Sequence, residues 1–426
     1  MRIGSGAGFA GDRIEPAEDL LRRAGLDYLV LECLAERTIA LGQQRRLLDP
    51  DAGYDPRLVA RFERLLPLAQ DNGVRIVTNM GAANPLAAGR VTRRLLGATG
   101  TVAVVTGDDV LAGLDLDAPA IEDGVALRLH GEVVSANAYL GADAIMPALD
   151  AGADVVLTGR VADPSLFLAP IAHRLGWDLA DTRHAACGTL IGHLLECAGQ
   201  LTGGYFADPG RRDVPGLAEL GFPFAEVEPD GRAIFRKLPG TGGQLSRATA
   251  REQLLYEITD PAAYRTPDVV LDLRAVTVTA HGVDTVQVAG AVGRPRPDQL
   301  KVSVGYRAGY RAEAGISYVG PNAARRAALA HEIVTTRLAG VGLRLRAEVL
   351  GGGDEYRLRV AASGRDRALL DEVGFEVEAL YTNGPAGGGG VRVHTGEVIG
   401  IVSTFVPRQR VAPSVTLMEA PDDPAT

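Results

Sequence analysis

Short apolar runs alternate with amphipathic stretches through the first half of the chain, and this alternation most constrains its fold. The apolar runs predict strands at residues 2–3, 27–32, 74–79, 102–109 and 154–160. The stretches between them predict helices at residues 16–24, 55–71, 84–97 and 139–151. Because strands that alternate with helices form parallel sheets covered by helices, the sequence predicts a three-layer α/β domain with a mainly parallel sheet. A barrel-like sheet is the alternative, since the same strand–helix steps fit a closed sheet.

The pattern changes in the second half, where residues 266–293 alternate apolar and polar side chains around His281–Gly282. Such alternation is typical of antiparallel strands with one exposed face. We therefore place a domain boundary near residue 265. This boundary predicts an α/β domain that carries the active site over 1–265, an α+β domain over 266–410 and a disordered tail over 411–426.

The composition limits the partners that the protein can have. The chain has 426 residues and a net charge of −9, from 44 Lys and Arg against 53 Asp and Glu. This charge repels nucleic acids and anionic membrane surfaces, so we expect neither as a partner. Three cysteines without a CxxC pair suit a reducing compartment, and no run matches a membrane helix or signal peptide. We expect a soluble cytoplasmic protein and, by precedent, a homo-oligomer.

Polar side chains follow the predicted strands, at the edge of the sheet where α/β proteins and barrels bind ligands. These residues are Glu32, Asn79, Asp108, Asp109, Arg160 and Asp163. We interpret Glu32 as a general base whose pKa is raised by burial. Arg160 offers a cation for a substrate carboxylate, with Asp163 as its partner or as a second acid–base group. We expect Asn79 in the same catalytic site.

Two pairs of residues are candidates for a divalent metal site. Asp108 and Asp109 follow a strand and could bind Mg²⁺, although the same side chains could cap a loop. His193 and Glu196 lie three residues apart and share a helix face, which suits two metal ligands, or a ligand and a base. A buried histidine bonded to the backbone is the alternative, because no third ligand at metal spacing lies nearby. We include His193 among the candidate catalytic residues.

The segment GSGAGFAGDR (residues 4–13) has the glycine spacing of a nucleotide-binding loop at Gly6, Gly8 and Gly11. A dinucleotide site needs a helix that begins within the loop, but Pro16 delays the helix and acidic residues precede it. Carboxylates beside a helix N-terminus would oppose a pyrophosphate. We therefore expect a tight turn that lets the backbone approach another ligand. A purely structural turn and an NAD site are the alternatives.

A second glycine loop, KLPGTGGQLS, covers residues 237–246. The residues that would form a nest for a phosphate or carboxylate are Lys237, Gly240, Thr241, Gly242 and Gly243. Ser246 predicts the N-cap of the next helix. The spacing does not match a P-loop, so we do not expect ATP hydrolysis, and a plain turn is the alternative. Lys237 and Lys301 are the chain's only lysines, which makes both of interest as compact, tunable charges.

Several long motifs occur in order along the chain. They include GAGFAGDR, DYLVLECLAERTIA, TNMGAANP, ADVVLTGRVADPSLFLAP, GHLLECAGQLTGGYF and EQLLYEITDPAAYRTPDV. In these motifs the chain resembles the acyclic terpene utilisation (AtuA) family, from its first residues to about residues 404–408. The resemblance implies a role in the catabolism of acyclic terpenes or branched acyl-CoAs, as a lyase that cleaves a 3-hydroxy acyl-CoA. It implies a CoA ester as substrate and assigns no catalytic residues.

Two reactions fit the candidate residues. In a lyase, Glu32 would take the hydroxyl proton and Arg160 would bind the free carboxylate. Asp108 or His193 would then hold the developing enolate, as an acid or through a metal. The alternative is a hydratase that acts on an unsaturated acyl-CoA or carboxylic acid, with Glu32 and Asp163 as its acid–base pair. A non-catalytic subunit that binds a CoA ester in a carboxylase pathway is a further alternative.

Overall fold

The structure is a computed structural model that describes residues 1–97 and 100–419. Over these residues the chain forms ten α-helices and eighteen β-strands. The helices are α1 (Glu15–Arg23), α2 (Glu36–Leu48), α3 (Leu58–Asp71), α4 (Pro85–Leu96), α5 (Met146–Asp150), α6 (Ser165–Leu175), α7 (Thr182–Leu195), α8 (Arg247–Leu255), α9 (Ala323–Arg337) and α10 (Arg367–Asn383). The strands are β1 (Arg2–Ala7), β2 (Tyr28–Leu31), β3 (Arg75–Thr78), β4 (Val102–Thr106), β5 (Val133–Ala138), β6 (Val155–Thr158), β7 (Pro223–Val227), β8 (Ala233–Lys237), β9 (Tyr264–Arg265), β10 (Val270–Asp272), β11 (Thr277–Gly282), β12 (Thr285–Ala289), β13 (Val292–Arg294), β14 (Gln299–Val319), β15 (Arg344–Gly352), β16 (Glu355–Gly364), β17 (Gly388–Pro407) and β18 (Ser414–Met418). Among these helices, none is both long and apolar enough to cross a membrane.

The largest sheet is mixed. Its strand order is β11-β12-β8-β7-β1-β2-β3-β6-β4-β18. The central strands β1, β2, β3, β6 and β4 pair in parallel, whereas the strands on both flanks pair antiparallel. The predicted mixture of helices and strands in an α/β fold is confirmed, but parallel pairing is limited to the five central strands. The flanking strands come from distant parts of the chain, so the local pattern does not reveal them.

One face of this sheet packs against α1, α3 and α4. Leu29 and Leu31 of β2 join Phe62 and Leu65 of α3 in one buried core. Because successive side chains of a strand point to opposite faces, only alternate residues of each strand contribute to this core. Helix α6 contacts β2 and β3. All residues of β2 and of β6 are buried, which explains why both strands are mostly apolar.

The chain divides into two compact units, and the division differs from the predicted boundary near residue 265. The first unit comprises Met1–Gly124, Val134–Val304 and the residues from Val402 onward. The second comprises Val125–Val133 and Gly305–Ile401. Residues 266–304 therefore belong to the first unit. The reason is that β12 pairs with β8 and extends the large sheet beyond residue 265.

The second unit combines strands and helices around its own core. Strands β15, β16, β14 and β17 follow one another in its sheet, and β16 pairs antiparallel with both β14 and β15. Helices α9 and α10 contact β16. Val334 of α9 and Val377 of α10 are buried with Ile316 and Leu358 from the strands. These contacts give the unit a separate apolar core.

Three local predictions differ from the structure. The helix predicted at 139–151 is limited to α5, which covers Met146–Asp150. The polar helix α2 was not predicted, because its sequence ERTIALGQQRRLL places few apolar residues at helical spacing. The predicted tail over 411–426 contains β18, which pairs antiparallel with β4. Residues 420–426 lie outside the described residues.

Candidate active site

A cavity of about 930 Å³ lies among the loops that follow β1, β2 and β6, as the rule for strand ends predicts. Every residue that lines it belongs to the first unit. Of the predicted site residues, the cavity contains Gly8, Glu32, Asp163, His193 and Glu196. The cavity also contains ionisable residues that the sequence did not indicate: Glu36, Tyr139, Cys197, Tyr256, Glu257, Tyr264, Arg265, Asp298 and Lys301.

Glu32 follows β2, and its side chain is bonded to Asn79, which follows the neighbouring strand β3. It is 8% exposed, and its Oε1 accepts hydrogen bonds from the Leu34 N–H and the Asn79 side-chain amide, both at 2.8 Å. Asn79 follows β3 and also accepts from the Cys33 N–H at 2.7 Å. Burial raises the pKa of Glu32 to about 7, against the opposing effects of Arg160 and these hydrogen bonds. Glu32 is therefore suited to exchange a proton near neutral pH.

His193 and Glu196 form a buried pair at the end of α7. His193 Nδ1 lies 2.8 Å from Glu196 Oε1, and His193 Nε2 lies 3.1 Å from the Leu254 carbonyl oxygen. A carbonyl oxygen only accepts, so Nε2 carries hydrogen and one further proton must lie between Nδ1 and Oε1. Burial lowers the pKa of His193, but the charge and hydrogen bond of Glu196 raise it above its ordinary value. Burial also raises the pKa of Glu196, so the pair retains this proton.

Glu196 has a second oxygen that is available to a ligand. Its Oε2 is buried and has no hydrogen-bond partner within the part of the chain that the structure describes. Most buried polar atoms in proteins are paired, so an unpaired carboxyl oxygen in the wall of a cavity points to a bound group or water. The Tyr264 ring packs beside His193, with the two ring centroids 5.2 Å apart. One oxygen of Glu196 therefore bonds to His193, whereas the other could bond to a ligand.

The chain itself uses the guanidinium of Arg160, which disfavours its predicted role as the cation for a substrate carboxylate. It is 1% exposed, and its guanidinium donates to the carbonyl oxygens of Leu34 and Val161 and to Asp163. Its Cζ also lies 4.7 Å from the centroid of the Tyr139 ring. The chain's own acceptors use this cation. Asp163 lines the cavity but is its ion-pair partner rather than an independent acid.

The structure does not bring the predicted metal ligands together as a set. Asp108 is buried and accepts hydrogen bonds from the Arg160 N–H and the Asn137 amide, both at 2.9 Å, outside the cavity. Asp109 is exposed and lies 3.9 Å from Arg46. His193 pairs with Glu196 instead of with a third ligand. Among the described residues, no group of three or more His, Cys, Asp or Glu side chains could hold a metal ion.

The first glycine segment packs against the chain itself. Gly6 lies inside β1, where an added Cβ would be 2.6 Å from Leu31. At Gly8, an added Cβ would be 2.6 Å from the carbonyl oxygen of Glu196, so the close approach here is to the segment after α7. The Gly8 N–H donates to Asp12 at 2.8 Å, which places a carboxylate where a dinucleotide would need its phosphates. Gly11 packs on the ring of Phe9. These contacts favour a structural turn over a dinucleotide site; Gly8 also lines the cavity, so the approach of this backbone to another ligand stays a prediction.

The second glycine loop is a packed turn between β8 and α8, which corrects the predicted anion nest. Lys237 Nζ lies 3.0 Å from Asp284 Oδ2 and donates to the Thr241 carbonyl oxygen at 2.8 Å. The N–H groups of Gly242 and Gly243 donate to the carbonyl oxygens of residues 219 and 215. Gly240 adopts a φ of +84°, which glycine permits without strain. The predicted cap is observed, since Ser246 accepts from the Thr249 N–H.

Lys301 is a cation of the cavity wall to which the sequence assigned no role in the site. Its Nζ lies 3.6 Å from Glu36 and 5.1 Å from the centroid of the Tyr139 ring, and its side chain is 44% exposed. The Tyr139 hydroxyl donates to Glu36. Together with Arg265, Lys301 provides the permanent positive charge of the cavity wall. Its rarity in the sequence was the one available signal, because the segment around it carries no catalytic motif.

Comparison with known proteins gives a family and no close relative. The family model described as "Acyclic terpene utilisation family protein AtuA" matches residues 1–417. No curated protein matches the chain. Among solved structures, the de novo designed proteins Foldit4 and Ferredog-Diesel share 14% and 19% identity and each align with 20% of this chain. The alignments cover 94% and 85% of the designed chains, with TM-scores of 0.18 and 0.17. The family match spans nearly the whole chain and confirms the resemblance in its motifs, so the chain belongs to the acyclic terpene utilisation (AtuA) family.

Proposed function

We propose that the protein is a lyase of branched acyl-CoA catabolism that cleaves a 3-hydroxy acyl-CoA by acid–base chemistry. One observation carries the proposal: a single cavity contains a proton acceptor and a proton donor. Glu32, with a pKa of about 7, is the acceptor, and the His193–Glu196 pair, which retains a proton, is the donor. Enzymes that transfer protons at neutral pH typically contain two titratable groups, of which one accepts a proton and the other donates one.

In the proposed reaction, the Glu32 carboxylate takes the proton of the substrate's 3-hydroxyl group. The O–H electron pair forms the carbonyl bond at C3, and the bond between C3 and the neighbouring CH₂ breaks. Its electron pair remains on the departing CH₂ fragment as an enolate. The His193–Glu196 pair then donates its proton to this carbon. The products are a ketone and an acetyl fragment, with no external oxidant or reductant.

The substrate's anionic group requires a cation in the cavity wall. Arg160 is already bonded to the chain's own acceptors, so we assign this role to Lys301, with Arg265 as the second cation. Lys301 Nζ lies 3.6 Å from Glu36, and both side chains are partly exposed. A substrate carboxylate could therefore approach Lys301 without removing a buried ion pair.

A hydratase is the second candidate, because it does not need the cation that the sequence predicted for a free substrate carboxylate, Arg160, which is buried and bonded to the chain. Addition or removal of water requires an acid and a base, but it requires no cation that binds a free carboxylate of the substrate. Glu32 would take the proton from C2 of the acyl group, and the His193–Glu196 pair would protonate the departing hydroxyl group. Asp163, which the sequence suggested as the second group, is paired with Arg160.

Turnover assays with mass spectrometry distinguish these functions. The wild-type protein is incubated with branched 3-hydroxy acyl-CoAs and with the corresponding 2-enoyl-CoAs, with and without a chelator. Acetate or an acetyl thioester identifies the lyase, whereas interconversion of the two substrates identifies the hydratase. Binding of the CoA esters without either product would identify a non-catalytic subunit. Loss of turnover with the chelator would add the predicted divalent metal.

The substitution Glu32→Gln tests the base. Glutamine can accept the same hydrogen bonds from Leu34 and Asn79, so the fold should persist. We expect kcat to fall by about 10²- to 10⁴-fold, the usual contribution of a general base. The matched control is Asp268→Asn, because Asp268 is also buried with a raised pKa but lies outside the cavity wall. Unchanged turnover in Glu32→Gln, or an equal loss in both variants, would exclude Glu32 as the base.

A further inference from the structure

A second cavity of about 460 Å³ adjoins the one that contains Glu32. The two cavities share Gln200, Tyr256 and Glu257 as lining residues. The rest of the second wall comes from residues 204–206 and from α8. We call this second cavity the outer cavity. The shared residues place the outer cavity directly beside the cavity of the acid–base groups.

We propose that the outer cavity binds the nucleotide end of the CoA thioester, so that an adenine ring lies on Tyr205 and a phosphate group pairs with Arg251. The choice of a CoA thioester rests on the proposed function. The binding of an adenine nucleotide at this position does not require that function to be correct, since it depends only on the residues of the outer cavity.

Tyr205 is an exposed aromatic side chain that follows a hydrogen-bonded turn. It is 86% exposed, and its ring meets the Tyr256 ring edge-on, with centroids 6.4 Å apart. In the turn before it, the Gly204 N–H donates to the Gly199 carbonyl oxygen at 2.8 Å. An exposed aromatic face offers a stacking surface for a planar base.

The backbone on both sides of the outer cavity adopts an unusual conformation. Tyr205 has a φ of 60° and Glu257 a φ of 59°, in the left-handed region that bulky side chains rarely adopt. Residues held in such conformations concentrate at ligand clamps and active sites. Both residues line the outer cavity. Tyr205 lies in the segment 204–206, and Glu257 lies in the segment that follows α8. The strain therefore lies where the nucleotide would bind.

Arg251 is the cation of the outer cavity that could pair with a phosphate. Arg251 lies on α8 and is exposed. The adjacent Glu252 is already paired with Arg212 at 3.3 Å, which leaves Arg251 available to an anion. Glu257 provides the remaining carboxylate, and it lies in the wall shared with the first cavity. A guanidinium binds phosphate oxygens through two parallel hydrogen bonds.

The same residues disfavour the acyl chain as the occupant. Gln200, Arg251, Glu252 and Glu257 place polar and charged groups among the aromatic and apolar residues that line the outer cavity. A branched hydrocarbon would bury these groups without hydrogen bonds, which is unfavourable. An adenine ring with its phosphates meets both the aromatic and the charged side chains. We therefore place the acyl group in the first cavity and the nucleotide in the outer one.

Calorimetric titration with adenosine 3′,5′-bisphosphate, CoA and pantetheine tests the proposal without any turnover. The wild-type protein should bind the bisphosphate and should bind CoA more tightly than pantetheine. Tyr205→Ala should weaken binding of the bisphosphate and of CoA by about tenfold, the effect of losing one stacked base. Arg251→Gln should weaken both as well. Tyr205→Leu keeps an apolar side chain of some size and should show the same loss if stacking is the cause.

Two control variants match these substitutions. Tyr381→Ala removes an exposed tyrosine from α10 in the other unit, and Arg247→Gln removes an exposed arginine from α8 that does not line the outer cavity. Both should bind the bisphosphate as the wild type does.

Absence of bisphosphate binding in the wild type, or equal binding in Tyr205→Ala, overturns the proposal. A changed preference for acyl chain length in Tyr205→Ala, with bisphosphate binding intact, would place the acyl group there instead. If the bisphosphate binds but no thioester is turned over, the outer site stands and the lyase proposal fails.

Discussion

Glu32 and Arg160 show how much a single charged residue depends on its surroundings. Both follow strands, and the sequence pattern predicts both at the same edge of the sheet. Glu32 remains part of the cavity wall, because the hydrogen bonds from Asn79 and from the Leu34 N–H involve only its Oε1. Arg160 is used entirely by acceptors of the chain, including the carbonyl oxygen of Leu34, 126 residues away in sequence. Their residue types alone do not distinguish these two outcomes.

The raised pKa of Glu32 predicts a pH-dependent stability. Burial raises this pKa from 4.5 to about 7, so between these values the folded protein holds a proton that the unfolded chain has released. The free energy of unfolding therefore falls as the pH rises through this interval. Glu32→Gln stays neutral, so its free energy of unfolding relative to the wild type should rise by up to about 3 kcal/mol between about pH 5 and pH 8.

Urea unfolding at these two pH values measures the difference. The control is Glu63→Gln, which changes an exposed glutamate of α3 and should not alter the pH dependence. A pH-independent difference between Glu32→Gln and the wild type would mean that Glu32 is ionised in the folded protein at all these pH values.

Secondary-structure elements were predictable where their signals are local. The central strands are buried on both faces and therefore appear as continuous apolar runs, which place β2, β3, β4 and β6 within a few residues. Helix starts were found from Pro16 and from Ser246, because capping depends only on neighbouring residues. The local pattern does not predict β18. Its pairing with β4 depends on a contact between segments about 310 residues apart in sequence.

A glycine in α4 tests the packing of this helix on β4 and β18. An added Cβ at Gly89 would lie 2.6 Å from the Met418 sulfur and against Val104. Gly89→Ala should lower the free energy of unfolding by about 1–3 kcal/mol, although alanine favours helices by about 1 kcal/mol over glycine. In a double-mutant cycle by urea unfolding, Met418→Ala should relieve part of this loss. Strictly additive losses would show that β18 does not pack on this helix.

At the scale of the whole molecule, the first unit draws on three separate parts of the sequence. The second unit is inserted within it, as Val125–Val133 and Gly305–Ile401. The change in sequence pattern near residue 265 does not mark the end of a unit, because β7 and β8 already pair antiparallel before it and β12 extends the same sheet after it. A compact unit is defined by which segments pair in space, and those pairings are not local.

A fragment of residues 1–265 tests this division. It lacks β11 and β12, which continue the large sheet from β8, and β18, which covers β4. We expect the fragment to show no cooperative unfolding in denaturant, because it exposes buried strand edges and part of the core. The full chain, followed by circular dichroism, is the reference. A cooperative transition of the fragment would place the end of the first unit near residue 265.

By itself, the sequence determined the α/β class, the central strands and the edge of the sheet at which polar groups gather. These depend on burial and capping, which leave periodic and local patterns. Only the tertiary structure decided which polar groups the chain uses internally. Asp284 neutralises Lys237, the backbone of Glu196 packs on Gly8, and Arg160 bonds to Leu34. Each contact joins segments far apart in sequence, and no local pattern encodes which distant partner will satisfy a buried charge or fill the space above a glycine.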